Sequence, residues 1–210
     1  MATAKGEQRK SIILDRARDI LIRDGFAKFT VRDVAAAAGI SLGNLQYYFP
    51  SRDDLVASVI ETELTASFAI IEAVNWRDGD LDTQILVLTR TLLTHLAGDA
   101  GKLHQIMAFL ALNDERFQKL MDESYGRILD IARTTLRKAL PADGDDEDAQ
   151  NTSAAIIPGL AEVIVALFDG ALTRIHAQPS IMHGAARDAY IDRINDTVIH
   201  ILAGAEHTAG

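Results

Sequence analysis

Residues 30–55 read TVRDVAAAAGISLGNLQYYFPSRDDL, and this stretch predicts two short helices, a tight turn and the start of a third helix. Thr30, Ser41 and Ser51 are each followed by helix-compatible residues and are good N-caps, because a hydroxyl oxygen can accept a bond from a free backbone N–H. Gly39 follows the first short helix, where a positive φ is favourable for glycine. The pattern is therefore that of a helix-turn-helix.

The second short helix is predicted to have one apolar and one polar face. Leu45 and Phe49 are four residues apart and should face inward together. Gly43 and Tyr47 lie roughly opposite them, flanked by two amide side chains. Amides can bond to adenine edges in the major groove, glycine permits close approach, and hydroxyls suit phosphate contacts. The helix is thus predicted to read DNA, and the alternative is a helical hairpin with a purely structural role.

The same stretch resembles the DNA-binding domain of the TetR (tetracycline repressor) family of transcriptional regulators. The resemblance covers roughly residues 7–56 and includes the blocks TVRDVA (30–35), AGIS (38–41) and YYFPSR (47–52). It implies phosphate contacts for Thr30, Ser41, Tyr47, Tyr48 and Arg52. It implies base contacts for Arg32, Leu42, Gly43, Asn44 and Gln46.

Two of these positions depart from the family pattern. Gln46 stands where a tyrosine is usual, and Leu42 stands where a basic or polar residue is common. Both lie on the predicted reading face. The operator sequence therefore cannot be transferred from the family.

Apolar periodicity predicts an all-α protein with about nine helices and no strand. The predicted helices span residues 7–24, the two short helices, 51–74, 81–96, 102–112, 114–140, 148–177 and 185–202. Within 148–177, Pro158 and Gly159 predict either a kink or a helix start. Residues 160–175 are apolar on nearly all sides, so that segment should be buried all round.

The resemblance also implies two domains. Residues 1–54 form a helix-turn-helix DNA-binding domain, and residues 55–210 form a ligand-binding and dimerisation domain, with the helix over 51–74 bridging both. The last two helices are expected to pair with those of a second copy as a four-helix bundle. The alternative is that they only close the core of one chain.

The charge is distributed unevenly along the chain. The net charge is −9, yet residues 1–56 hold nine basic and seven acidic groups, so the remainder carries −11. Positive charge is thus concentrated where phosphates are expected. The absence of cysteine fits a reducing cytoplasm. We identify no apolar run long enough to predict a membrane span, and the first residues are too polar to predict a leader peptide.

The resemblance further implies a pocket for a small effector within residues 55–177. The candidate contacts are Phe68, Trp76, Met107, Phe109, Phe117, Met121, Tyr125 and Phe168, with His104 as a polar group. His95 and His176 are further polar candidates. Each is also compatible with an ordinary core or surface position. No spacing indicates a metal, cofactor or catalytic site.

The sequence therefore predicts a ligand-responsive regulator rather than an enzyme. It would bind a palindromic operator on double-stranded DNA as a homodimer, act as a repressor, and be released by a small molecule. Two alternatives remain open. One is an all-α binding protein or enzyme with a structural hairpin, and the other is a DNA-binding activator without a ligand.

Overall fold

The computed structural model describes residues 4–73, 81–139, 147–178, 180 and 184–209. Over these residues the regular structure is entirely helical, which confirms the predicted all-α class. The helices are α1 Ala4–Asp24, α2 Val31–Ala37, α3 Leu42–Tyr48, α4 Arg52–Glu72, α5 Leu81–Leu96, α6 Asp99–Ala111, α7 Glu115–Ala139, α8 Glu147–Ala177 and α9 Gly184–Ala209. A short 3₁₀ helix, Phe26–Lys28, follows α1 and was not predicted.

The chain packs into two compact units. We call the first the amino-terminal unit; it contains the residues up to Phe68 together with Lys102–Met121. The second, the carboxy-terminal unit, contains Ala69–Gly101 together with the residues from Asp122 onward. Helices α4, α6 and α7 each have residues in both units. These are packing units, and the functional division at residue 54 stays a prediction.

The core of the amino-terminal unit lies beneath α3. Side chains from α1, α2, α3 and the first half of α4 meet there. The fully or almost fully buried members include Ile13, Leu21, Val34, Leu45, Phe49, Leu55 and Ile60. Leu103 and Met107 of α6 and Phe117 of α7 complete the same core, at 1% exposure or less. Ile12 of α1 is 43% exposed, whereas its neighbour Ile13 is fully buried.

The core of the carboxy-terminal unit lies among α5, α7, α8 and α9. One cluster includes Leu136, Ala161 and Leu202, and another includes Leu93, Ile175 and Ile191. Helix α8 runs unbroken through Pro158, so the predicted alternative of a helix start at this proline is wrong. The central position of α8 explains its composition, because it contributes to both clusters.

Helix α8 is nevertheless not fully buried in one chain. Within the described residues, Ala155–Ala177 is the one stretch long and apolar enough to cross a bilayer, and 39% of its apolar window is buried. Val163 is 54% exposed. The expectation that this segment is buried all round therefore does not hold within a single chain.

Gly101 has a different role from the one expected. The sequence suggests that Gly98 to Gly101 separates two helices, but α6 begins at Asp99 and includes Gly101. A Cβ at Gly101 would lie 1.8 Å from the carbonyl oxygen of Leu96 and 2.5 Å from Nε2 of His176. That same Nε2 lies 2.8 Å from the Leu96 carbonyl oxygen, to which it donates. Glycine is thus needed for close packing inside the helix rather than for ending it.

We predict that Gly101→Ala destabilises the protein by about 1–3 kcal/mol, because the methyl group meets rigid backbone and forces a shift. Gly126→Ala is the matched control, since it also lies inside a helix but its Cβ would meet nothing within 4 Å. That variant should be stabilised by about 0.5–1 kcal/mol. Urea unfolding followed by circular dichroism measures both. Equal stabilities of the two variants would contradict the packing role.

Candidate nucleic-acid interface and apolar cavity

The turn between α2 and α3 satisfies its backbone groups locally. The N–H of Ile40 donates to the carbonyl of Ala35 at 3.0 Å, and that of Gly39 donates to the carbonyl of Ala36 at 3.1 Å. Gly39 has a positive φ, and together with these two bonds it forms a Schellman motif. The position expected for Gly39 from the sequence is therefore observed, and the motif holds the angle between the two helices.

Both short helices have side-chain caps. Thr30 Oγ1 accepts from the N–H of Asp33 at 3.2 Å and donates to its carboxylate at 2.6 Å. Ser41 Oγ accepts from the N–H of Asn44 at 3.2 Å. Helix α4 begins similarly, since Ser51 and Asp54 bond each other's backbone N–H at 3.0 Å. Asp54 also pairs with Arg116 of α7 at 2.9 Å within the same unit.

The outer face of α3 is largely exposed to solvent. Leu45 and Phe49 are buried, whereas Tyr47 is 80% exposed. Gly43 and Gln46 are exposed as well, and a Cβ at Gly43 would meet nothing within 4 Å. Tyr47 and Tyr48 contact each other edge to face, with ring centroids 5.2 Å apart. This face can approach a flat or concave partner without first losing internal contacts.

Two residues predicted to contact bases are less accessible. Leu42 and Asn44 are half-buried. The side-chain oxygen of Asn44 is buried, and it has no hydrogen-bond partner within the described part of the chain. In the free protein this amide therefore faces the fold more than Gln46 does. Its contact with a base stays a prediction.

Arg52 makes intramolecular contacts. Its Nη2 donates to the Phe26 carbonyl oxygen, and its guanidinium carbon lies 3.9 Å from the centroid of the Phe26 ring. Arg52 thus connects the start of α4 to the 3₁₀ helix after α1, and it is half-exposed to solvent. Its predicted phosphate contact would add to this positioning role.

The remaining predicted DNA contacts are accessible, and the charges around them are partly paired. Thr30, Arg32 and Ser41 are exposed. At the end of α1, a hydrogen bond from Arg23 lowers the pKa of Asp24, so this carboxylate stays ionised beside the arginine. Arg23 is thus paired within α1, whereas the side chain of Arg32 is exposed to solvent.

The predicted effector contacts are divided between the two packing units. Met107 and Phe117 are part of the amino-terminal core, Met121 packs against it, and Phe109 is 62% exposed. Phe68 is buried and His104 is half-buried, whereas Trp76 lies outside the described residues.

Tyr125 donates a hydrogen bond to Asp169. Burial of the hydroxyl raises the pKa of Tyr125, and this hydrogen bond raises it further. Of the predicted aromatic contacts, Phe168 lines a cavity. Ligand contact stays a prediction for all of these residues, including Phe168.

That cavity lies in the carboxy-terminal unit and has a volume of about 80 Å³. Its wall comes from α4, α5, α7, α8 and α9, and includes Ile71, Leu88, Ile131, Ile164, Phe168 and Leu202. Sequence reasoning that favoured aromatic and methionine side chains missed the aliphatic members. The spacing of Ile128, Ile131 and Thr135 along one face of α7 is the sequence feature that indicates these lining residues.

Comparison with known proteins agrees with this geometry. Residues 13–59 match the family model described as bacterial regulatory proteins, tetR family. The HTH-type transcriptional regulator EthR of Mycolicibacterium smegmatis (strain ATCC 700084 / mc(2)155) is 37% identical over 60 residues, which span 29% of this chain and 28% of that relative. The nucleoid occlusion factor SlmA of Escherichia coli O9:H4 (strain HS) is 26% identical over 174 residues, covering 82% of this chain and 84% of SlmA.

Solved structures share the fold along almost the whole chain. A putative transcriptional regulator from Saccharomonospora viridis, solved in complex with choline, superposes with a TM-score of 0.76 at 19% sequence identity. The superposition covers 92% of this chain and 97% of that structure. At this identity the likeness shows the fold alone.

We predict that Gln46→Ala relaxes base preference at one position of the bound site. Loss of the exposed amide should cost about 1–3 kcal/mol on the preferred duplex and much less on a duplex substituted at that base. Competition binding against single-base variants measures the difference. Gln118→Ala, at an exposed glutamine on α7, is the matched control and should bind like the parent. A uniform loss across all duplexes would contradict a base contact.

We predict that Arg52→Ala weakens binding to all duplexes alike. Loss of one phosphate contact should reduce the slope of log affinity against log salt by about one unit. Because the bond to Phe26 is also lost, stability should fall by about 1 kcal/mol. Binding titrations across salt concentrations and urea unfolding measure the two effects. A change in sequence preference would contradict this assignment.

Proposed function

Because the chain belongs to the TetR family of transcriptional regulators, we propose that it binds a palindromic operator as a homodimer and is released by a small-molecule effector. It acts as a repressor in the cytoplasm, by binding rather than by catalysis. The observation that carries this proposal is the outer face of α3, which is exposed while the opposite face is buried.

Recognition of DNA follows from that face. Gln46 can bond a base edge, Gly43 lets the helix backbone approach the groove, and Tyr47 can reach a phosphate. Helix α3 is capped and packed before DNA arrives, so little ordering is needed on binding. The charge distribution supports DNA binding by this part of the chain, because the segment 1–56 is net positive and the rest is strongly negative.

The homodimer is supported by the exposed side of α8. Gly159, Val163, Ala166 and Gly170 recur at helical spacing and are all exposed. A Cβ at Gly159 or Gly170 would meet nothing within 4 Å, so a second helix has room to approach. Covering this face with α8 and α9 of a second copy removes apolar surface from water. Such a dimer must hold its two α3 helices about 34–36 Å apart to enter successive major grooves.

Release by an effector is a shift between two states of that dimer. A ligand weakens operator binding only if it prefers a state in which the two reading helices are spaced differently. The apolar cavity of the carboxy-terminal unit is the candidate site for the ligand. Helices α4 and α7 contribute to its wall and continue into the amino-terminal unit, so they are the proposed carriers of the change.

A second candidate is a DNA-binding factor that acts in nucleoid occlusion. It is favoured by the similarity to SlmA, a nucleoid occlusion factor, which extends over 82% of this chain. The two candidates differ in one measurable respect. Only the first requires a small molecule that changes operator affinity.

Selection of bound duplexes from a random pool tests the proposal. A palindromic motif with half-sites about one helical turn apart is expected for a symmetric dimer. Affinity for that motif should fall steeply with added salt. Failure to enrich any duplex would refute DNA recognition, and an asymmetric single half-site would refute the symmetric dimer.

We predict that Val163→Glu converts the protein to a monomer and lowers operator affinity, because a charge would be buried between two apolar helices. Val87→Glu is the matched control, since Val87 is an exposed valine on α5 at 49% exposure. Analytical ultracentrifugation gives the mass, and operator titration gives the affinity. A dimeric Val163→Glu protein with unchanged affinity would place the interface elsewhere.

A further inference from the structure

The described residues that line the apolar cavity include no charged side chain. Among them, only Thr89 and Thr135 have a polar side-chain group, and the rest are aliphatic except for Phe168. Transferring an unpaired ionised group from water into such surroundings is strongly unfavourable. An occupant of the cavity must therefore be uncharged over the part that enters it.

A larger groove adjoins the cavity. It has a volume of about 680 Å³ and shares Ile71, Leu88, Ile131 and Thr135 with the cavity wall. Unlike the cavity, the groove has charged side chains along its sides, namely Glu72, Glu123, Asp130 and Lys138, and an ion pair joins Glu72 to Arg127. An apolar chamber thus opens beside a charged one within the same unit.

We propose that the cavity binds the uncharged hydrocarbon tail of an amphipathic molecule, whose polar end stays in the charged groove. Because the cavity volume is only about 80 Å³, it can hold only the end of such a tail. The rest of the tail lies along Ile71, Leu88 and Ile131, the apolar residues that the cavity shares with the groove. An engineered apolar cavity that accepts benzene is roughly twice as large, at about 150 Å³. The role of this molecule as effector rests on the proposed function, whereas its binding does not.

Straight-chain alcohols are suitable probes because they vary the tail and keep the head constant. Calorimetric titration with 1-butanol, 1-hexanol and 1-octanol should show affinity rising with chain length, by at most about fourfold for each added methylene. 1,8-Octanediol has the same length but must bury a second hydroxyl. It should bind about tenfold more weakly than 1-octanol. An affinity independent of chain length, or equal binding of the diol, would overturn the proposal.

Two neighbouring residues of α5 provide matched variants. Leu88 lines both the cavity and the groove, whereas Val87 is exposed and lines neither. Leu88→Trp should fill the junction and reduce 1-octanol affinity by about tenfold or more. Val87→Trp should bind like the parent. Equal 1-octanol affinities in the two variants would overturn the assignment of the binding site to this cavity.

A smaller substitution provides a second test in case the Leu88→Trp protein does not fold. Ala132 is half-buried on α7 and lines the cavity, so Ala132→Leu should also weaken 1-octanol binding. Circular dichroism shows whether each variant keeps its helical content. Parental 1-octanol affinity in a folded Ala132→Leu protein would argue against the cavity.

Operator affinity measured in the same preparations separates this inference from the proposed function. If 1-octanol binds by these criteria and operator affinity does not change, the cavity inference holds and the effector role fails. If 1-octanol does not bind while another small molecule releases the operator, the cavity inference is overturned and the proposed function stands.

Discussion

Burial of Leu45 and Phe49 beneath α3 is the constraint on which the proposed DNA-reading surface depends. A helix as short as α3 has little stability of its own, so tertiary packing must hold it. The Schellman turn at Gly39 and the caps at Thr30 and Ser41 satisfy the free backbone groups at the helix ends. Because the inner face and the ends already hold the helix, its outer face is available for recognition.

The core that supports α3 extends beyond the first three helices. Leu103, Met107 and Phe117 are distant in sequence, yet they are buried against the same cluster. The pair between Asp54 and Arg116 adds a polar link at the start of α4. Helices α4, α6 and α7 each have residues in both packing units, so the proposed coupling would have a continuous covalent path.

Helix α8 has different surroundings on its different sides. It packs against α9 and α5, lines the apolar cavity through Ile164 and Phe168, and presents a face of small residues to solvent. An apolar composition suits the packed side and the cavity side, and the apolar side that faces solvent is the one that the proposed dimer would cover. This combination explains why a helix apolar enough to cross a bilayer is only partly buried within one chain.

The sequence by itself was sufficient for the helical class, the caps, the turn at Gly39 and the two faces of α3. Each of these features depends on side chains within a few positions of one another. Tertiary structure alone decided that Gly101 is required by Leu96 and His176, that Arg52 lies against Phe26, and that Phe168 rather than Met107 or Phe117 faces the cavity. Helical periodicity indicates which side chains turn inward, but the partner that each one meets depends on how distant segments pack together.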